Sequence, residues 1–131
     1  MITQQEQETK QATPLSTWME TLIGFVKSDR PDLTNRQMAI LLTVYLTPGP
    51  HTVRGMAAKL KVSKPVVTRA LNTLGAYGYV RRRKDDSDLR NVLVERTPQG
   101  TAFIEEFSGL IDSAVDTTRK RESVFRSPAP F

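Results

Sequence analysis

The feature that most constrains the fold of this chain is a change of hydrophobic period at Gly78. Ahead of it, apolar residues recur at three- and four-residue steps, the spacing of helices with one buried face. Beyond it that helical spacing stops, and Tyr79 to Lys84 and Arg90 to Arg96 both read as strands. Val80, Val92 and Val94 are the inward candidates, and the polar stretch Asp85-Asp86-Ser87-Asp88 joins the strands into a hairpin with a charged tip. Helical spacing returns after Thr97 and Pro98. The chain therefore reads as mainly α with one small β-hairpin set between helices.

The helix boundaries carry their own signals. Thr13 followed by Pro14 suits an N-cap and a first helical position, where the missing proline N–H costs nothing. Leu15, Trp18, Met19, Leu22, Ile23 and Val26 then form an apolar stripe that ends near Arg30, before Pro31. Thr34 with Gln37 three residues later is a capping box, and Leu33 can staple onto Met38 across it. That second helix contains Ala39, Ile40, Leu41, Leu42 and Val44 and stops at Pro48-Gly49-Pro50. A short third helix follows Thr52, with Met56, Ala57 and Leu60 inward, and breaks at Lys61-Val62. Ser63 caps a fourth helix to about Ala76, with Val67, Ala70, Leu71 and Leu74 inward and Gly75 and Gly78 able to close it. The last helix carries Phe103, Ile104, Phe107, Leu110, Ile111, Ala114 and Val115 on one face and Glu105, Glu106, Asp112 and Asp116 outside. Three segments result: a mobile N-terminal arm over 1–12, a domain over 13–118, and a basic, disordered tail over 119–131.

Composition excludes more than it assigns. With no Cys there is no disulfide, thiol nucleophile, thiolate zinc site or cysteine redox switch, and one His cannot build a multi-histidine metal cage. The N-terminus is polar and lacks the pattern of a secretory signal. The longest apolar run, Met38 to Leu42, is five residues, where a membrane span needs about 20. A cytoplasmic protein without a membrane partner is expected. Glu105 and Glu106 are adjacent in a helix and diverge by about 100°, so they do not form a catalytic pair. Asp85, Asp86 and Asp88 could hold a cation, but the surrounding arginines favour ion pairing at the hairpin tip. No catalytic residue, metal ligand or cofactor is assigned, and the chain is read as a non-enzyme.

The net charge of +5 is unevenly placed. Between His51 and Arg96 eleven basic residues face four acidic ones, a net +7 in 46 residues, while each flank is at −1. A basic middle between slightly acidic ends suits a module that faces phosphates, with flanking segments free to pair with a copy of themselves. The bland alternative is a solvated basic face.

A short helix, a tight break and a second helix with polar outward residues is the helix-turn-helix arrangement, whose second helix enters the major groove of DNA. The outward residues are Ser63, Lys64, Pro65, Thr68, Arg69 and Asn72. Arg69 can form a bidentate pair with guanine, Asn72 with adenine, and Thr68 can meet a base edge or a phosphate. The hairpin adds Arg81, Arg82, Arg83, Lys84 and Arg90. Blocking of edge pairing would explain one or two of these charges but not five. Arginine is drawn into narrow, A·T-rich minor grooves, which places Arg90 there, with Arg83 and Lys84 at the phosphates.

The run Gly78-Tyr79-Val80-Arg81-Arg82-Arg83-Lys84-Asp85-Asp86-Ser87-Asp88-Leu89-Arg90, followed by Val94, Thr97 and Gly100, resembles the wing of the multiple-antibiotic-resistance (MarR) regulators. Val66-Val67-Thr68-Arg69 and Leu74 resemble that family's recognition helix, and the likeness extends from Thr34 to Phe107. It implies a winged helix-turn-helix with flanking N- and C-terminal dimerisation helices. It further implies a homodimeric transcription regulator, more often a repressor, on a pseudo-palindromic double-stranded DNA site, with Asp88 bracing Arg90. The family often binds small aromatic effectors, so Trp18, Met19, Phe103 and Phe107 raise a ligand pocket, although ordinary helix packing is the preferred reading of these four. Leu89 and Arg96 stand where the family has arginine and leucine, and the C-terminal region is short. These departures motivate the alternative, a winged-helix module that docks on another protein with weak DNA contact.

Overall fold

The computed structural model describes residues 3–126. Its elements in chain order are α1 (Gln4–Lys27), α2 (Asn35–Leu46), β1 (His51–Thr52), α3 (Val53–Leu60), α4 (Lys64–Ala76), β2 (Val80–Lys84), β3 (Val92–Arg96) and α5 (Pro98–Arg126). The chain divides into two compact units. One comprises the residues up to Asp32 together with those from Glu106 onward, and the other is Leu33–Glu105.

The Leu33–Glu105 unit is a small helical core closed by a three-stranded antiparallel sheet in the order β1-β3-β2. The capping box at Thr34 forms in full: the Gln37 amide donates to Thr34 Oγ1 at 3.1 Å, and the Thr34 amide donates to Gln37 Oε1 at 2.9 Å. Thr52 and Ser63 cap α3 and α4 in the same way, through the Gly55 and Val66 amides. Between α3 and α4, Lys61 takes a left-handed φ of 56° while the Val62 amide donates to the Ala57 carbonyl. The tight break of the helix-turn-helix is therefore bent by a non-glycine residue. Ile40, Leu41 and Val44 of α2 pack with Val67, Leu71 and Leu74 of α4, Val80 and Val94 of the sheet, and Phe103 of α5, all buried.

α4 ends in a Schellman motif. The Gly78 amide donates to the Gly75 carbonyl and the Tyr79 amide to the Leu74 carbonyl, both at 2.9 Å, with Gly78 at φ +76°. Only three residues thus separate α4 from β2. The β2–β3 register pairs Val80 with Arg96, Arg82 with Val94 and Lys84 with Val92. Strand β1 has no sequence signal of its own. Two residues long, it exists through pairing of His51 with Val94 and Thr52 with Leu93.

The base of the sheet is tied to α2 and α5 by Tyr45. Its hydroxyl accepts from the Thr97 amide at 2.9 Å and lies 2.8 Å from the Tyr79 carbonyl, to which it donates. Thr97 Oγ1 donates to the Gly78 carbonyl and accepts from the Gly100 amide, so it both fixes the wing base and starts α5. Arg96 occupies the position where a leucine was expected from the resemblance. Its Nε and Nη2 donate to the Val44 and Thr47 carbonyls at 2.8 and 3.2 Å, satisfying the end of α2, and its guanidinium lies 5.7 Å from the Tyr45 ring centroid.

In the other unit, α1 and the later part of α5 pack through Phe25 and Phe107, edge to face at 5.7 Å, with Thr21, Ala114 and Thr118 buried. Glu20 pairs with Arg121 at 2.6 Å, and Arg30 pairs with Glu106. Two boundaries differ from the sequence reading. α1 starts at Gln4, so Thr13 is not its N-cap, Pro14 lies inside the helix, and the arm drawn over 1–12 is helical from Gln4. Pro14 costs the helix one hydrogen bond, and beside it Thr13 Oγ1 donates to Glu122 of α5. α5 likewise continues to Arg126, through the first part of the segment read as disordered tail. Buried Thr118 and the pairs made by Arg121 and Glu122 hold it there, and polar contacts of this kind leave no hydrophobic period to read. The rest of that tail lies outside the described residues.

The apolar stripe of the first helix is exposed in the single chain: Leu15, Trp18, Met19, Leu22, Ile23 and Val26 all lie open, by 40 to 72%. Among the described side chains of α1, Thr21 and Phe25 are buried.

Gly100 has no room for a side chain: a Cβ would stand 1.8 Å from the Tyr45 hydroxyl oxygen and 2.2 Å from the Tyr79 carbonyl oxygen. Gly100→Ala is expected to destabilise the protein by about 3 kcal/mol or more, read as a lowered urea midpoint. An unchanged midpoint would show that Tyr45 moves aside freely.

Candidate nucleic-acid interface

The recognition-helix candidates all lie on or just before α4. Ser63, Lys64 and Pro65 form its exposed first turn, Arg69 and Asn72 are exposed, and Thr68 is half-buried. Val67, Ala70, Leu71 and Leu74 are turned into the core, so the helix is split into a packed face and an open face. Among the described residues the Arg69 guanidinium makes no hydrogen bond or ion pair. It lines a shallow depression of about 320 Å³ with Thr34, Arg36, Gln37, Val66, Ala70 and Thr73. Arg36 was not singled out from the sequence, because only the packing of α2 on α4 brings it beside Arg69.

The wing sorts its charges by strand alternation. Arg81 and Arg83 project from one side of β2 and share Glu95, at 3.4 and 3.1 Å from its Oε1. Arg82 and Lys84 project from the other side, the side on which Val80 enters the core. Arg82 Nη2 donates to Asn72 Oδ1 at 2.7 Å, linking wing and recognition helix. Glu95 and Arg82 thus hold contacts with the candidate residues that the sequence did not reveal. Their partners lie 10 to 14 residues away and meet only through the register of the sheet and the turn at Gly78.

At the wing tip, the Asp85 carboxylate accepts from the Ser87 amide and hydroxyl at 3.0 and 2.6 Å. Asp88 holds Arg90 in a fork, with Nε to Oδ1 at 3.1 Å and Nη2 to Oδ2 at 3.2 Å, and also accepts from the Arg90 amide. Arg90 itself remains 78% exposed, so it is oriented without being covered. Leu89 beside it is 73% exposed. Among the described residues, no group of three or more His, Asp or Glu side chains could hold a metal ion. Phe103 and Phe107 are buried, whereas Trp18 and Met19 are exposed.

A short helix, a left-handed turn, a second helix with an open face and a tethered basic hairpin define a winged helix-turn-helix protein. Across residues 33–92 the chain matches the model of the MarR family. Solved structures agree in fold. MarR superposes with 26% identity over 72% of each chain and a TM-score of 0.57. The transcriptional regulator Tm0710 from Thermotoga maritima is 21% identical over 93% of this chain and 80% of its own, with a TM-score of 0.64. MepR from S. aureus, in complex with DNA, is 23% identical over 92% of this chain and 89% of its own, at 0.62. No curated protein sequence matches the chain.

The forked bond to Arg90, followed by its amide, holds the Asp88 carboxyl below its ordinary value of 3.8, and the Ser87 bonds do the same for Asp85. Because the folded value is depressed, the Arg90 brace is complete above the ordinary carboxylate range and is lost only as pH falls through the lowered value. A carboxyl NMR titration should therefore place the Asp88 midpoint below 3.8. Arg90→Ala should raise it, and an unchanged midpoint would show that the fork does not persist in solution.

Proposed function

We propose that this protein is a cytoplasmic, sequence-specific regulator of transcription, a repressor, that binds a pseudo-palindromic double-stranded DNA site as a homodimer. One observation carries the DNA reading: an open recognition-helix face with an unpaired Arg69 is tethered to a wing whose exposed Arg90 is pre-oriented by Asp88. Arginine with a free guanidinium is the commonest bidentate reader of guanine, and a pre-oriented arginine enters a narrow minor groove at reduced entropic cost. Ser63, Lys64, Pro65 and Thr68 would meet phosphates and base edges at the start of α4, with Arg83 and Lys84 following the backbone along the wing. Within the family likeness, the DNA complex of MepR supports this use of the fold.

The exposed face of α1 supports the homodimer. Six large apolar side chains in one stripe, joined by Ile111 of α5 at 37% exposed, are far more than a solvated helix needs. Burying the stripe against a second copy would set the two recognition helices one DNA turn apart, about 34 Å. The sign of regulation rests on the family resemblance. The location accords with the absence, among the described residues, of any helix long and apolar enough to cross a membrane. The exposed Leu89 favours the second reading, a winged-helix module that docks on a protein.

Selection of bound duplexes from a random library tests the proposal: a palindrome should emerge, and the affinity for it should fall steeply with salt. Arg69→Ala should reduce discrimination between that palindrome and random DNA by at least about tenfold, and full retention would overturn the recognition-helix assignment. If no duplex is recovered at low salt, the docking module is favoured. Ile23→Asp is expected to convert the dimer to a folded monomer in light scattering, and a dimer that survives it would place the interface elsewhere.

A further inference from the structure

Asn72 is the recognition-helix residue whose chemistry the tertiary structure changes. Read from the sequence, it is a free amide able to pair with adenine, donating from Nδ2 to N7 and accepting the N6 amino group at Oδ1. In the folded protein its Oδ1 is already engaged by Arg82 Nη2 at 2.7 Å. A guanidinium is a donor only, so it admits just one orientation of the amide, carbonyl oxygen toward Arg82 and Nδ2 away from it. The bond is charge-assisted, and its two ends sit on a stiff frame. Asn72 lies on α4, Arg82 is locked opposite Val94 in the sheet, and the Schellman turn at Gly78 leaves three residues between helix and strand.

Resting on the DNA-binding reading above, we infer that Asn72 and Arg82 act as one donor-only reading head that selects guanine rather than adenine. The Nδ2 hydrogens of Asn72 and the remaining N–H groups of Arg82 present donors side by side. That pattern complements the adjacent acceptors O6 and N7 of guanine in the major groove. Adenine offers N7 but sets its N6 amino donor where O6 would be, facing a guanidinium that cannot accept. The cation also opposes the partial positive charge of that amino group. Arg82 is therefore a specificity-determining residue that works partly through the orientation of Asn72. Arg69, one turn earlier and without a partner, reads its own base independently.

The test is duplex selection with the wild-type protein, Arg82→Met and Asn72→Asp. Both positions are exposed, and thermal unfolding of each variant verifies that the fold is kept. Wild type should require guanine at the base pair whose preference Asn72→Asp alters, with about a tenfold margin over adenine. Arg82→Met frees Oδ1 and should move that position toward adenine. Asn72→Asp keeps the Arg82 contact but replaces the donor by an acceptor, and should move it toward cytosine on the same strand. Adenine at that position for wild type would overturn the inference while leaving the DNA-binding reading intact. So would a loss of affinity in Arg82→Met that is equal at every sequence, the behaviour of a simple phosphate contact. Recovery of no motif by the wild-type protein would instead overturn the DNA-binding reading, and this inference with it.

Discussion

The Leu33–Glu105 unit depends on the Tyr45 hydroxyl. It lies where the end of α2, the base of the wing and the first turn of α5 converge, and it bonds to backbone groups of Tyr79 and Thr97. Such a junction must satisfy several backbone polar groups that neither helix nor sheet pairs, and an unsatisfied buried carbonyl costs about 1–3 kcal/mol. One phenol serves two of them, Thr97 Oγ1 serves two more, and Arg96 closes the exposed carbonyls at the end of α2. The arrangement is possible only because Gly100 has no side chain. Arg96 thus has a plain structural role as a hydrogen-bonded cap of α2.

The same junction gives the wing its direction. Strand β2 leaves a core in which Val80 is buried, so alternation sends Arg82 and Lys84 to that side and Arg81 and Arg83 to the other. Glu95 sits across from the second pair and partly neutralises it. These exposed pairs add little stability, since surface ion pairs contribute about 0–1 kcal/mol. Their consequence is distribution: the strand charge that Glu95 leaves uncompensated lies on the side of β2 that carries Arg82 and Lys84. A count of five basic residues in the wing conceals this division, which depends on register.

Much of the architecture was legible because it rests on local rules. The Thr34-Gln37 box, the Thr52 and Ser63 caps and the glycine that closes α4 are all short-range, and each is present as read. The inward residues of α4 follow from 3.6-residue spacing around a single buried face. What was not legible is non-local. Strand β1 exists only by pairing with residues more than 40 positions away. The middle of α1 and the last turns of α5 are joined by polar contacts about 100 residues apart, which no window along the chain detects. The apolar stripe of α1 was found correctly as a stripe, but periodicity does not tell which partner a stripe faces. In this chain it faces outward.

By itself, then, the sequence determined the order of the helices and the hairpin, the starts of α2, α3 and α4, and the concentration of positive charge between His51 and Arg96, because propensity, capping and charge are properties of neighbouring residues. The tertiary structure decided which arginines are free and which amide oxygen is already occupied. Those outcomes depend on sheet register and on a three-residue turn that brings Arg82 to Asn72. Hydrogen bonds are directional and saturable, so a base-reading side chain is defined by the partners it already holds, and those appear only when the chain has folded.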